Sequence, residues 1–441
     1  MAGTQRTGGD QLVTVGATGA LPPPINHPVN HILRRYYTVW AVYSLANGFL
    51  FGVYPLFLRA RGLNQFEMNS VLATYFAVTF LTDVPTGAFA DALGRRRSFV
   101  LGCLLRLSAF MVYFFAHAYP IFLVAESIDG IGTTFCNGAI DAWGVDALDD
   151  AGFAGLKDRL FSRISQLMNV GFMTSALIGT YVADVNIAWP WLMSAAGYGI
   201  SAIVGTMLMS ERAGHRTHIE FAKIPAQVID RVVSGFRLGF RSRVILMLSL
   251  ANGIFFAASA PYWLEWPQYV NDSYGRGIWV VGWVYCLLTV GRLVGAEIVM
   301  RMRMDGSTRS TRLIVLIAAA SAAFYAGGAA AHRPNLVVAL FFLMNILIGA
   351  MMPLMQSWFN EQIESSQRAT LLSFNSTFAT MGAATGLLSV GAYADVAGIP
   401  GTWKVCAAIF VLAMPCYWLI RPRPASPDAD AHRSGLGADH W

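Results

Sequence analysis

A column of polar residues runs through one of the more apolar parts of this chain. Glu126, Asp129, Thr133, Asn137 and Asp141 recur three and four residues apart among Ile, Phe, Ala and Gly. On a helix that spacing sets all five on one face, and at 1.5 Å per residue the column runs about 22 Å. Carboxyl groups so placed can take up and release protons. The amide and the hydroxyl can bind a polar solute or tie one helix to the next. A charge in hydrocarbon costs at least about 2.5 to 3.5 kcal/mol, so this face must meet a hydrated cavity or polar neighbours.

Other polar groups stand alone in apolar surroundings. Asp83 lies eight residues before Asp91 on the same helical face, and Arg106 sits at a similar depth on the next helix. Paired with Arg106, Asp83 is a structural brace; unpaired, it is a proton carrier. Pro85 is expected to bend this helix. Arg292 is the one cation deep in the second half of the chain, and Glu297 follows it. Arg292 can answer an anionic solute group or a carboxylate of the first half. Glu265, within Trp263-Leu-Glu-Trp-Pro267, is expected on a solvated outer rim, with an outer gate as the other possibility. The proton-coupling candidates are therefore Asp83, Glu126, Asp129 and Asp141. Those for contact with a solute are Asn47, Arg106, Asn137, Asn252 and Arg292.

The elements that hold these residues are membrane helices. The chain is 55% hydrophobic and only 13% charged, too apolar for an ordinary soluble enzyme. Apolar runs long enough to cross about 30 Å of hydrocarbon number twelve. They are Tyr36–Leu58, Met68–Ala90, Ser98–Ala116, Ile121–Val145, Leu160–Val182 and Trp191–Met209, then Val244–Leu264, Ile278–Val299, Leu313–Ala331, Leu336–Trp358, Leu371–Tyr393 and Trp403–Leu419. The expected fold is thus an all-α membrane protein with two six-helix bundles, residues 34–210 and 244–420. Residues 1–33 and 421–441 read as disordered cytoplasmic tails. Residues 211–243 form a basic linker in which Phe221, Ile224, Val228 and Val232 recur at amphipathic spacing.

Of the 31 Lys and Arg, threading the chain with its N-terminus inside leaves outside only Arg59, Arg61, Arg276, Arg333 and Lys404, with Arg106 and Arg292 in the spans. That bias places both termini in the cytoplasm. The net charge of +6 therefore reads as topology rather than as a nucleic-acid surface. The five cysteines lie in apolar runs without metal-ligand spacing, so neither disulfides nor metal sites are expected. Residues 1–30 lack an apolar segment of signal-peptide length, so the first span is expected to do the targeting. No Walker loop, mid-membrane histidine or Ser/His/Asp set is present, which disfavours an ATP-driven pump, a histidine relay and an enzyme.

The halves repeat. Ser44-Leu-Ala-Asn-Gly-Phe-Leu-Phe51 returns as Ser249-Leu-Ala-Asn-Gly-Ile-Phe-Phe256, and Pro55 and Pro261 follow at nearly the same offset. This sets Asn47 and Asn252 at corresponding places, expected to face each other across a pseudo-twofold axis. A weaker echo links Asp141-Ala-Trp143, with Asp146 following, to Gln356-Ser-Trp358, with Glu361 following. Parallel six-helix repeats put a solute site at their interface near mid-membrane.

The stretch Gly87-x-x-x-Asp91-x-x-Gly94-Arg95-Arg96 resembles the loop between helices 2 and 3 of the major facilitator superfamily of membrane transporters. Arg61-Gly-Leu-Asn, Asp83-Val-Pro-Thr-Gly87, Asn360-Glu-Gln-Ile and Arg368-Ala-Thr370 are similar to bacterial members. The resemblance covers roughly residues 36–420. It implies a secondary transporter of the inner membrane, working by alternating access as a monomer without cofactor, with a small molecule, protons and lipid as partners. It also implies a latch in which Gly87 lets a helix approach and Gly94 permits the turn. There Asp91 meets the start of helix 11, and Arg95 reaches an acid such as Asp146. The chain departs from the exporters' Arg-x-x-Gln-Gly in helix 4, carrying Glu126-Ser-Ile-Asp-Gly130 instead, and lacks their Gly-Pro-x-x-Gly-Gly in helix 5. Proton-coupled export of an amphipathic or aromatic compound is the first expectation. Uptake of a metabolite is the second, and a non-transporting receptor or lipid-handling protein the third.

Overall fold

The structure, a computed structural model, describes residues 27–153, 157–211, 236–302, 307–361, 363 and 367–419. The amphipathic positions Phe221, Ile224, Val228 and Val232, and the C-terminal tail, lie outside the described residues. The first half comprises α1 (His27–Gly48), α2 (Tyr54–Ala60), α3 (Gln65–Leu93), α4 (Arg95–Phe115), α5 (Tyr119–Asp150), α6 (Lys157–Val185) and α7 (Trp189–Leu208). The second comprises α8 (Arg243–Tyr274), α9 (Trp279–Arg301), α10 (Ser307–Ala330), α11 (Pro334–Glu361) and α12 (Arg368–Trp418). Helix α1 starts inside the segment expected to be a tail.

Local sequence explains the breaks. The first span is split into α1 and α2 by a turn in which Gly52 takes φ 84°, and Pro55 starts α2 where its missing N–H costs nothing. Asn64 begins α3 with a capping box: its side chain accepts from the Glu67 N–H (2.8 Å), and Glu67 accepts from the Asn64 N–H (3.0 Å). In α12 the eleventh and twelfth spans join without a loop at Gly398, whose φ of 69° and ψ of 171° leave the helix, and Pro400 follows. Counting α1 with α2 as one span and α12 as two gives the twelve expected. Eight helices carry a long, nearly uncharged apolar window, namely α3, α4 and α7 to α12. Helices α1, α5 and α6 do not, and α5 is the one bearing the acidic column.

Each half has its own apolar core, built around Phe99, Trp191 and Tyr198 in the first and Trp266, Tyr325 and Trp403 in the second. The repeated octapeptides have equivalent roles in the two. A Cβ on Gly48 would meet the α6 backbone at Phe172 (2.9 Å), and one on Gly253 the α12 carbonyl of Phe378 (2.9 Å). Each glycine thus lets the first helix of its half touch the fifth. The halves join along two seams, α3 against α12 and α6 against α9. These pairs exchange under the same pseudo-symmetry.

Candidate functional site

The first three members of the acidic column, Glu126, Asp129 and Thr133, are buried within the protein. Glycines bring α4 and α5 into contact: a Cβ on Gly132 would stand 2.7 Å from Arg106 Cγ and 2.9 Å from the Gly102 carbonyl. That close crossing sets Arg106 against Asp129. Its guanidinium donates from Nε to Oδ1 (2.7 Å) and from Nη2 to Oδ2 (3.2 Å), and further to Tyr43 Oη (2.9 Å) and Asn47 Oδ1 (3.3 Å). Arg106 is 4% exposed and Asp129 5%. The rings of Tyr198, Phe110 and Tyr43 lie 4.4, 5.6 and 5.8 Å from the guanidinium carbon. Four of the five N–H donors of this buried cation are thereby used. Asp83 is exposed and is not its partner. The brace forms with Asp129 because α4 touches α5 at its glycines.

One turn away Glu126 accepts a hydrogen bond from the Tyr113 hydroxyl, and Tyr113 stacks on Trp191 at 4.0 Å and 9°. Among the described residues no cation lies in ion-pair contact with Glu126. Lower in the column Asn137 accepts weakly from Tyr43 Oη (3.4 Å) and Asp141 from Tyr36 Oη (2.9 Å), so these two tie α5 to α1.

Between the halves lies a cavity of about 660 Å³. Asn47, Arg106, Glu126, Asp129 and Trp191 line it from the first half, with Tyr54, Tyr75 and Phe76 completing an aromatic wall. The second half presents Tyr262, Trp263, Trp266, Tyr285, Arg292 and Asn345. Of the predicted residues, Asn47, Arg106, Glu126, Asp129 and Arg292 meet here. Asp83, Asn137, Asp141 and Asn252 do not line the cavity. Asn252 is buried outside the cavity lining and so does not face Asn47 across it. Apart from Arg292, the second wall, Trp263 and Asn345 included, was missed as a solute contact. The signal was an aromatic cluster beside a buried proline, Tyr262-Trp263 after Pro261.

One end of the cavity is shut by bonds between the halves. Asp395 of α12 accepts from the N–H groups of Gln65 (2.8 Å) and Phe66 (3.1 Å) at the start of α3. Asp184 of α6 accepts from those of Ile278 (2.5 Å) and Trp279 (3.1 Å) at the start of α9. These carboxylate-to-helix caps are pseudo-equivalent, one per seam, and each sets an anion on the positive end of a helix. Gly277, at φ 116°, allows the second: a Cβ there would sit 3.0 Å from the Asp184 carboxylate. Arg59 forks onto Asp272 (2.7 and 2.5 Å), and Gln268 donates to Gln65 (3.1 Å). Nearby, Glu265 is fully buried rather than on a solvated rim. The reversal at Gly398 lays Thr402 and Trp403 beside it, and Trp403 packs 5.0 Å from Tyr269.

At the arginine-loop end the seams part. A Cβ on Gly391 would collide with the Asn69 side chain, whereas one on Gly87, further along α3, would meet no atom of the described residues within 4 Å. Among the described residues Gly87 therefore does not make the close approach expected of it, because α3 and α12 have diverged by that depth. Arg95 pairs with Asp91 (2.6 Å) inside the loop, while Arg96 and Arg97 face Glu211 at the end of the same half (3.9 and 3.6 Å). Gly94 turns the loop at φ 104°. The cavity lining runs toward this end through Ser165, Asn169, Ala296 and Pro353.

Two pseudo-symmetric six-helix bundles around a chamber that is shut at one end form the architecture of a multi-pass membrane solute carrier. Comparison with known sequences narrows this. The sequence model of the Major Facilitator Superfamily matches residues 38–328 and again 267–438, and the chain belongs to that superfamily. Among curated relatives, the quinolone resistance protein NorA of Staphylococcus aureus is 22% identical over 223 residues, covering 51% of this chain and 55% of the relative. Multidrug resistance protein 2 of Bacillus subtilis is 22% identical over 169 residues, 38% of this chain and 41% of that protein. The chain thus spans about half the length of the curated relatives it matches. In fold it is similar to a mutant of the nucleoside transporter NupG, with a TM-score of 0.74 at 9% identity over 88% of this chain and 99% of the other.

Proposed function

We propose that this protein is a secondary active transporter of the inner membrane that exports a small amphipathic or aromatic organic compound in exchange for protons, acting as a monomer. The observation that carries the reading is a carboxyl group, Glu126, in the wall of a chamber between the halves, with the Tyr113 hydroxyl as its partner and no cation in ion-pair contact among the described residues. Asp129 is committed to Arg106, so Glu126 is the acid free to exchange a proton with the chamber. The names of the relatives, which speak of quinolone and multidrug resistance, favour export over uptake.

The positive-inside bias puts the arginine-loop end in the cytoplasm, so this arrangement is the one open inward. Export then needs the chamber to hold either the proton or the solute, so that each displaces the other when the chamber changes sides. In the outward-open state Asp91 gives up Arg95 for the start of α12, and Arg95 turns to Asp146. The aromatic walls supply apolar area for the solute.

Proteoliposomes with an imposed pH gradient test this. Glu126→Gln is expected to slow gradient-driven solute movement by a factor of about 100 and to remove the pH dependence of what remains. Unaltered pH dependence in that variant would remove Glu126 from the mechanism, and solute flux that moves no protons would remove the exchange.

A further inference from the structure

The chamber holds a second unmatched charge. Arg292 projects into it from α9, with its guanidinium carbon 4.3 Å from the Trp263 ring. Its Nε is buried without an acceptor, and among the described residues no carboxylate lies within ion-pair distance. Tyr285 and Tyr262, which line the chamber with it, are phenols and supply no negative charge. Its backbone is held tightly, because a Cβ on Gly349 of α11 would run into Arg292 and one on Gly295 into Ile346. A cation fixed by close helix packing, stacked on an indole and lacking a counter-ion is arranged to receive an anion. Glu126, on the wall of the other half, is its opposite: an acid without a cation.

We infer that the solute is a zwitterionic aromatic compound whose anionic group meets Arg292 on Trp263 and whose ammonium group meets Glu126. Such a compound spans both halves, and its cationic end occupies the place of the exchanged proton. This inference rests on the transport reading only for the location of the site. A singly anionic solute would match Arg292 but repel an ionised Glu126. It would travel with the proton rather than against it.

Four probes built on one ring separate these cases: 4-(aminomethyl)benzoate, which carries both charges at opposite ends, 4-methylbenzoate, 4-methylbenzylamine and 4-methylbenzamide. Binding to the purified full-length protein is read by quenching of tryptophan fluorescence, since Trp191, Trp263 and Trp266 line the chamber. The zwitterion is expected to bind at least about tenfold tighter than either singly charged probe, as one charge-assisted contact predicts. Arg292→Gln should bring it down to the level of the amine, and Glu126→Gln to the level of the benzoate. Arg292→Lys should restore part of the loss. Binding of 4-methylbenzamide in each variant reports that the chamber is intact. A zwitterion bound no better than the amide, a preference that survives Arg292→Gln, or tightest binding by a singly charged probe overturns the inference. These readouts need no transport. Absent proton exchange with intact zwitterion preference would sink the transport reading alone.

Discussion

The doubled carboxylate cap makes the population of the outward-open state predictable. Asp184 and Asp395 each accept two backbone N–H bonds across a seam. Both side chains are exposed, so the helix-dipole contribution is at the surface value of about 0.3 to 1 kcal/mol. Replacement by asparagine keeps one acceptor but removes the charge and one charge-assisted bond. The combined loss is about 1 kcal/mol per site. The caps lie in different seams and share no partner, so their effects should add. The double variant Asp184→Asn, Asp395→Asn then favours opening by about 2 kcal/mol, or about 30-fold in the ratio of the two states. The assay is labelling of Ser259→Cys, a chamber position, by a membrane-impermeant maleimide added outside cells. The five native cysteines are replaced in that background. Labelling rate follows the outward-open population, so it should rise about fivefold in each single variant and about 30-fold in the double. Unchanged labelling in a correctly folded double variant would refute the assignment of these caps as the outer closure.

Two further outcomes concern stability. Asp129→Asn leaves Arg106 buried without its counter-ion and should destabilise the first bundle by about 3 kcal/mol, seen as a lower thermal midpoint in detergent; an unchanged midpoint would mean that water replaces the pair. Gly382→Val forces side-chain atoms into the Gly253 backbone and should cost about 1 to 3 kcal/mol by the same measurement, whereas Gly87→Ala, with open space around it, should not lower the midpoint.

The acidic column shows how far spacing reaches. Residues three and four apart share a helical face whatever the fold, so the sequence of α5 was enough to say that Glu126 and Asp129 point away from lipid. It was not enough to say that Asn137 and Asp141 end on tyrosines of α1 while Glu126 opens on the chamber. The same limit governed Arg106. Its depth along α4 was legible and suited Asp83 as well as Asp129. The choice was made by the Gly102 and Gly132 crossing, a contact between helices that neither helix encodes alone.

From the sequence by itself came twelve spans, two repeated halves and the arginine-rich loop, because hydrocarbon thickness, helical period and charge placement act locally along the chain. Tertiary structure alone decided which end of the chamber is shut, that Glu265 is buried rather than solvated, and that Arg292 stands on Trp263 with no counter-ion among the described residues. The physical reason is that each depends on how two helices far apart in sequence approach. That approach is set by where glycines allow backbones to touch and where a carboxylate on one helix reaches the N-terminus of another.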